Sequence, residues 1–304
     1  MRGSRRGRLA FPPDCFQPIF RLASPPPAMK THDRALSRLA SNLSPEELRN
    51  EFLVTGLFQP GEISLHWWET DRTVMGGICP AAGELALRAP DGLRASYFLE
   101  RREAGVLNLG GPGVVRVDGK EYRLETYDAL YLGRGAKEVS FASPSPANPA
   151  RFWLLSYPAH MAYPTRQVSF LAVEGARLGE RKSANERIIY KLIHPGAFPT
   201  CQLVMGLTRL EPGSVWNTMP PHTHLRRSEI YLYFNLPPEQ VVFHFMGRPQ
   251  DTRHLVVRDC EAVLSPPWSI HSGVGTSSYG FVWGMGGENQ EFTDMDPAPL
   301  SELR

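Results

Sequence analysis

Cysteine is scarce in this sequence of 304 residues, and long apolar runs are absent from it. The four cysteines, Cys15, Cys79, Cys201 and Cys260, lie far apart and form no Cys-x-x-Cys pair. Such spacing excludes a disulfide framework and is typical of free thiols in a reducing compartment. No apolar stretch approaches the roughly 20 residues that are needed to span a bilayer. We therefore expect a soluble, cytoplasmic protein with no membrane-spanning segment.

A basic excess is also missing from the body of the chain. The formal net charge is +2, but residues 1–28 carry five arginines and one acidic residue, so the remaining residues have a small acidic excess. Nucleic acid and anionic membranes bind to basic patches, and nothing in the body of the chain supplies one. The sequence also has no helix-turn-helix pattern. We expect neither nucleic acid nor membrane as a partner.

Regular secondary structure is not predicted for residues 1–28, which contain six prolines and have no helical or strand period. The prolines also interrupt the apolar core of roughly 7–15 residues that a secretory signal requires. We expect a disordered N-terminal extension, after which the folded chain begins near Met29.

Beyond this extension, one helix and many strands are predicted. Ser44-Pro45-Glu46-Glu47 is a capping box with proline at the first helical position, which predicts a helix over residues 45–52. Short apolar runs predict strands over residues 114–117, 121–124, 129–132, 139–142, 152–155, 202–205, 230–234, 241–245, 254–257, 262–264 and 280–283. Such strands, separated by glycine and proline, indicate a mainly β protein of two β-sandwich or barrel modules with few short helices.

The modules are expected to form an N-terminal domain over residues 29–165 and a C-terminal domain over residues 200–304. Residues 166–199 look irregular and charged, which favours a connecting segment. The two modules also resemble each other, because residues 128–138 align with residues 261–271. This alignment places Glu138 where the second module has His271, and it favours a duplication; two unrelated hairpins are the alternative.

Candidate metal ligands cluster in the second module. His222 and His224 are two positions apart, so on a strand they point to the same face. Glu229 follows five residues later, and His271 lies in the turn Pro267-Trp268-Ser269-Ile270-His271. Three imidazole nitrogens and one carboxylate oxygen suit a divalent ion such as zinc. No His-x-His precedes Glu138, so we expect the first module to bind no metal.

These ligands and their spacing resemble the metal-binding motifs of the cupin superfamily, except that Trp268 replaces the usual glycine of the second motif. Within that superfamily the chain resembles the 5-keto-4-deoxyuronate isomerase family. The resembling stretches are residues 49–54, 96–103, 135–139, 216–220, 268–276 and 287–290. They run from about residue 46 to the C-terminus and include segments far from the metal motif, so the resemblance is specific.

The resemblance implies a cytoplasmic homohexamer with two cupin-like modules per chain and one Zn²⁺ per subunit. It carries His222, His224, Glu229 and His271 over as the zinc ligands. It also implies a role in pectin breakdown, in which a ketol-isomerase converts 5-dehydro-4-deoxy-D-glucuronate (4-deoxy-L-threo-5-hexosulose uronate) into 3-deoxy-D-glycero-2,5-hexodiulosonate. The small-molecule partner would then be this keto-uronate.

The isomerisation moves a carbonyl from a terminal aldehyde to the neighbouring carbon, so a proton must leave one carbon and another must be added to the next. Glu288, in a glycine-rich turn, is the candidate for this proton transfer, with His254 or a metal-bound hydroxide as alternatives. A guanidinium group is well suited to bind the substrate carboxylate. Arg226 is the candidate, and Arg227 and Arg253 are the alternatives.

Two other classes of function fit the same ligand set. Imidazole and carboxylate also hold iron or manganese, so a cupin dioxygenase is one alternative. A cupin that binds uronates without converting them is the other. Oxygen uptake would indicate the first, and binding without turnover the second. The sequence leaves the substrate range open.

Overall fold

The structure is a computed structural model that describes residues 29–33 and 37–304. The predicted disordered extension, residues 1–28, lies outside the described residues. Strands make up most of the regular structure of the described part, so the prediction of a mainly β protein with few short helices is confirmed. Within the same residues, no helix is long and apolar enough to cross a membrane.

The α-helices are Ser37–Ala40 (α1) and Pro45–Phe52 (α2). Strands of the first half are Met29–His32 (β1), Leu53–Val54 (β2), Glu62–Trp68 (β3), Thr73–Cys79 (β4), Leu85–Ala86 (β5), Arg102–Asn108 (β6), Gly113–Val117 (β7), Lys120–Leu124 (β8), Ala129–Leu132 (β9), Val139–Ala142 (β10), Phe152–Pro158 (β11) and Arg166–Val168 (β12). Strands of the second half are Ala176–Leu178 (β13), Arg187–Ile193 (β14), Val204–Leu210 (β15), Trp216–Asn217 (β16), His222–Thr223 (β17), Arg227–Phe234 (β18), Val242–Arg248 (β19), Asp251–Val257 (β20), Ala262–Ser265 (β21), Ser272–Gly275 (β22), Gly280–Gly287 (β23) and Asp296–Pro297 (β24). Short 3-10 helices span Thr70–Arg72, Asp91–Leu93, Phe170–Ala172, Arg181–Ser183 and Leu300–Glu302.

Helix α2 begins and ends where the sequence predicts. The Glu47 backbone N–H donates to Ser44 Oγ at 3.3 Å, and the Ser44 N–H donates to Glu47 Oε2 at 2.8 Å. This reciprocal pair satisfies two amide groups that the first turn would otherwise leave without partners. The guanidinium of Arg49 donates to the Val256 carbonyl oxygen at 2.8 Å, so the helix packs against the second half of the protein.

The two halves repeat one sheet arrangement. The seven-stranded sheets have the orders β1-β3-β4-β11-β6-β9-β12 and β13-β14-β15-β23-β18-β21-β2. The four-stranded sheets have the orders β5-β10-β7-β8 and β16-β22-β19-β20, and β17 pairs with β24. One hydrophobic core lies within the first half, whereas a larger core fills the second half and continues into the first.

Glycines allow the two halves to pack closely behind the central strand β23. A Cβ atom on Gly284 would lie 2.1 Å from Leu155 Cδ2, and one on Gly286 would lie 2.3 Å from Tyr157 Cε1. Side chains alternate between the faces of a strand, so the residues between these glycines point the opposite way. The first half therefore supports the back of a strand whose other face lines the site described below.

The segment 166–199, predicted as an irregular connection, contains three strands. β12 pairs with β9 of the first half, whereas β13 and β14 extend the large sheet of the second half. The prediction of irregular structure is wrong here because none of the three strands alternates. The edge strands β12 and β13 have mostly exposed side chains, and β14 is partly buried at five successive residues before two buried ones. Strand β2, inside the predicted first module, pairs with β21 of the second.

Ala104 occupies the register position in the first half that Glu229 occupies in the second. Ala104 pairs with the last residue of β9, and Glu229 pairs with the last residue of β21. Six residues after these partners come Glu138 and His271, respectively, so the strand register agrees with the alignment of the two halves. The first half thus has alanine where the second has a carboxylate, which supports the proposal that it binds no metal.

Candidate metal centre

The candidate ligands lie in or next to three strands of the second half, β17, β18 and β22. His222 begins β17, which pairs with β24, and His224 follows β17 directly. Glu229 lies within β18, between β21 and β23, and lines the same cavity as Tyr231. His271 directly precedes β22. The large sheet therefore fixes the carboxylate, while the short strand β17 and the residues next to β17 and β22 supply the imidazoles.

The four donor atoms converge on one point. His222 Nε2 lies 3.2 Å from His224 Nε2 and 3.0 Å from His271 Nε2. Glu229 Oε2 lies 3.3 Å from His224 Nε2 and 3.1 Å from His271 Nε2. All four ligand atoms lie within 4.8 Å of one another, and no other such cluster occurs in the described part of the chain. Neighbouring ligands of an ion that holds N and O atoms at about 2.0–2.2 Å have separations of this size.

Burial keeps the imidazoles in the form that binds metals. Burial lowers the pKa of His222 to about 4 and that of His224 to about 3. The pKa of His271 lies well below its ordinary value for the same reason. Burial also raises the pKa of Glu229 to about 8, against an opposing effect of Arg227. A bound cation would favour the ionised carboxylate and accept the neutral nitrogens, so this donor set fits a divalent metal ion.

Neighbouring groups hold two of the ligands in place. Ser265 Oγ lies 3.3 Å from His271 Nδ1, on the ring edge that faces away from the cluster. The carboxylate of Asp71, from the first half, accepts bonds from the N–H of Ser228 at 3.1 Å and from its hydroxyl at 2.5 Å. Ser228 directly precedes Glu229, so the first half helps to position the carboxylate ligand.

A cavity of about 290 Å³ opens beside the metal ligands, three of which, His222, His224 and Glu229, line it. Its wall is mainly apolar and aromatic, which is typical of a site for a small ligand. The lining residues besides the ligands are Leu178, Arg187, Ile189, Thr208, Thr218, Met219, Pro220, Tyr231, Phe281, Trp283, Met285, Phe292 and Met295. Burial raises the pKa of Tyr231 well above its ordinary value, so its hydroxyl stays protonated.

Arg226, the predicted partner of a substrate carboxylate, does not line the cavity. Its guanidinium instead binds two carboxylates of the chain. It donates from Nε and Nη2 to Asp294 at 2.5–2.9 Å and from Nη2 to Asp296 at 3.0–3.1 Å. These bonds secure the segment that supplies Phe292 and Met295 to the cavity wall.

The other candidates from the sequence also lie off the cavity lining. Arg227 is buried and donates to the Asp294 carbonyl oxygen at 2.7 Å. Arg253 donates to three backbone carbonyl groups near α1. Glu288 and His254 are exposed. The structure thus brings the four predicted ligands together, but none of these predicted proton-transfer or carboxylate-binding residues lines the cavity, although Arg227 is close enough to lower the pKa of Glu229.

Sequence reasoning missed Arg187, Thr218 and Tyr231, all of which line the cavity. Tyr231 Oη lies 3.2 Å from Thr218 Oγ1, and its ring packs against that of His271. The sequence could have predicted Tyr231, because Tyr231 follows Glu229 by two positions and the two side chains therefore lie on the same face of β18. Arg187 gave no such signal, since it lies in the segment predicted as a connection.

Comparison with known proteins bears on this site. The model of the KduI/IolB family matches residues 55–299. A relative from Lachnoclostridium phytofermentans, named 4-deoxy-L-threo-5-hexosulose-uronate ketol-isomerase, is 49% identical over 91% of this chain and 100% of its own length. A protein of the same name from Halalkalibacterium halodurans is 52% identical over 85% of this chain and 94% of its own.

A solved structure also shares the fold. The crystal structure of an IolB-like protein from Salmonella typhimurium matches with a TM-score of 0.66, covering 79% of this chain and 94% of that one. The two sequences are only 16% identical, so this similarity concerns the fold alone.

Proposed function

This chain belongs to the KduI/IolB family and is a ketol-isomerase, and we propose that it converts 4-deoxy-L-threo-5-hexosulose uronate into 3-deoxy-D-glycero-2,5-hexodiulosonate with one zinc ion per chain. The observation that carries the proposal is the convergence of three imidazoles and one carboxylate, of which two imidazoles and the carboxylate line a ligand-sized cavity. The names of relatives about half identical to this chain indicate the reaction.

In this proposal the four ligands hold the ion, and the remaining cavity residues act on the substrate. A zinc ion there would supply Lewis acidity without redox chemistry, as suits an isomerisation with no net oxidation. The protonated Tyr231 hydroxyl is placed to donate a hydrogen bond to a substrate oxygen beside the ligands. The apolar wall excludes water, which strengthens every polar contact inside the cavity.

The wider setting forms part of the same proposal. The keto-uronate is a product of the breakdown of unsaturated galacturonate fragments, so we place the protein in pectin degradation in the cytoplasm. We also propose a homohexamer, for which the resemblance stated above is the support. The nearly fully exposed Leu171, in the 3-10 helix between the edge strands β12 and β13 in the chain, supports a contact between chains.

An NMR assay tests the proposed reaction. We expect the aldehyde signals of the keto-uronate to disappear as those of a hydroxymethyl ketone appear, with no oxygen consumed. Oxygen uptake would indicate a dioxygenase instead, and binding without conversion would indicate a uronate-binding protein. No specific observation in the described residues favours either alternative.

A further inference from the structure

Arg187 is the only lysine or arginine among the described residues that line the cavity. It begins β14, and its side chain is partly buried. The cavity wall is mostly apolar and includes Ile189, Phe281 and Trp283. Burial lowers the pKa of Arg187, which reflects a guanidinium removed from much of the surrounding water.

Strand register explains why Arg187 faces the site. Ile189 pairs with Thr208 on β15, and Thr208 pairs with Phe281 on β23; all three line the cavity. Arg187 precedes Ile189 by two positions, so its side chain leaves the same face of the sheet. The neighbouring Arg209 leaves the opposite face and is exposed.

The hydrogen-bonding capacity of Arg187 is largely unused within the chain. Nη1 donates to the Asn185 carbonyl oxygen at 2.9 Å, whereas a guanidinium offers five N–H donors. No carboxylate of the described residues lies within ion-pair distance of it. Arg226 and Arg253, in contrast, have their donors directed at groups of the chain itself.

We propose that Arg187 binds the carboxylate of the substrate and so selects uronates over neutral sugars. This inference rests on the proposed function. The keto-uronate carries the reacting aldehyde at one end and the carboxylate at the other, and both Arg187 and three of the metal ligands line the same cavity. A guanidinium in a mainly apolar wall forms strong, geometrically specific bonds to a carboxylate.

A pair of substrates tests this assignment. The methyl ester of the keto-uronate lacks the negative charge and carries one added methyl group, so the change in the acid-to-ester ratio of kcat/KM between wild type and R187Q reports the contact with the carboxylate. For R187Q we expect the KM of the acid to rise on the order of 10- to 100-fold, because one charge-assisted contact is lost. The preference for the acid over the ester should disappear. The zinc content should stay at the wild-type level. R209Q, which removes an exposed arginine from the neighbouring strand, should keep both the KM and the preference.

The outcomes separate the two proposals. Wild-type protein that does not convert the keto-uronate contradicts the proposed function, and this inference falls with it. If the wild-type protein converts the keto-uronate and R187Q keeps the wild-type acid-to-ester ratio of kcat/KM, only the proposed role of Arg187 is contradicted. General damage would lower kcat/KM for acid and ester equally and would also count against the assignment. If R187Q does not fold, R187K, which keeps the charge but not the planar fork, should show a smaller loss of the same preference.

Discussion

The Nε2 atoms of His222 and His271 lie 3.0 Å apart, although 49 positions separate the two residues in the chain. Both imidazoles have pKa values lowered by burial, so neither carries a proton on both nitrogens near neutral pH. At most one hydrogen can lie between the two nitrogens, and His224 approaches the same point. A shared cation satisfies all three lone pairs at once, which is the physical basis of the metal assignment.

Removal of a ligand should remove metal and activity together. In His222→Ala and Glu229→Ala one of four donors is lost, and loss even of groups that only support a ligand typically costs 10- to 100-fold in metal affinity. We expect zinc content well below one ion per chain and turnover reduced at least about 100-fold. Elemental analysis and the NMR assay on the same preparation measure both quantities.

His254→Ala is the matched control for these variants. This histidine is exposed and lies off the cavity, so its removal should leave zinc content and turnover at wild-type values. A His222→Ala protein that lacked metal but kept full turnover would contradict the role of the ion.

The contact between Asp71 and Ser228 should tune the site from the first half of the protein. Asp71→Asn weakens two bonds to the residue before Glu229, so we expect about 1 kcal/mol lower stability and zinc affinity reduced up to about 10-fold. Asp118→Asn is the control. Asp118 has a positive φ, as Asp71 does, and its carboxylate accepts two backbone N–H groups, but it lies in the first half, away from the ligands. Equal zinc affinity in the two variants, measured by competition with a chelating dye, would refute the coupling.

Glu103 should contribute to stability without affecting the metal. Its buried carboxylate accepts bonds from the Tyr131 hydroxyl and from the backbone N–H groups of residues 201–203, at 2.6–2.9 Å. Glu103→Gln places an amide N–H₂ against these donors, so we expect the free energy of unfolding to fall by about 2–4 kcal/mol. Urea denaturation measures this fall, and the exposed Glu121→Gln should show almost none. A small fall in the free energy of unfolding would contradict this prediction, because the bonds from Glu103 in the first half to residues 201–203 of the second half would then add little stability.

Glu288→Gln should retain nearly full activity. The side chain is exposed and does not line the cavity, so its charge has no direct path to a substrate carbon. We expect kcat within about 2-fold of the wild-type value, because general acid or base catalysis contributes about 10²–10⁴-fold when a residue performs it. A fall of that larger size would restore Glu288 as the proton-transfer group and would require the loop after β23 to move.

Much of the fold follows from local patterns in the sequence. The capping box at Ser44 fixes where α2 begins, and the strands predicted over residues 129–132 and 139–142 match β9 and β10. Central strands such as β6 and edge strands such as β13 were missed for opposite reasons. Strand β6 is buried along its whole length and β13 is exposed along its whole length, so neither shows the alternation of apolar and polar residues that predicts a strand.

The metal cluster and the rest of the site differ in how much the sequence reveals. His222, His224 and Glu229 lie within eight positions, and their residue types limit the chemistry. Arg187 reaches the cavity only through the pairing of β14 with β15, which is a long-range contact. The arginine nearest the ligands in sequence, Arg226, binds the acidic residues Asp294 and Asp296, which a linear reading does not place beside it.

The most direct test of the metal assignment is a zinc titration of metal-free protein, with turnover of the keto-uronate followed by NMR at each step. We predict that the metal-free protein is inactive, that turnover rises in proportion to bound zinc, and that it reaches its maximum at one ion per chain. Full turnover before any metal is added would contradict the account.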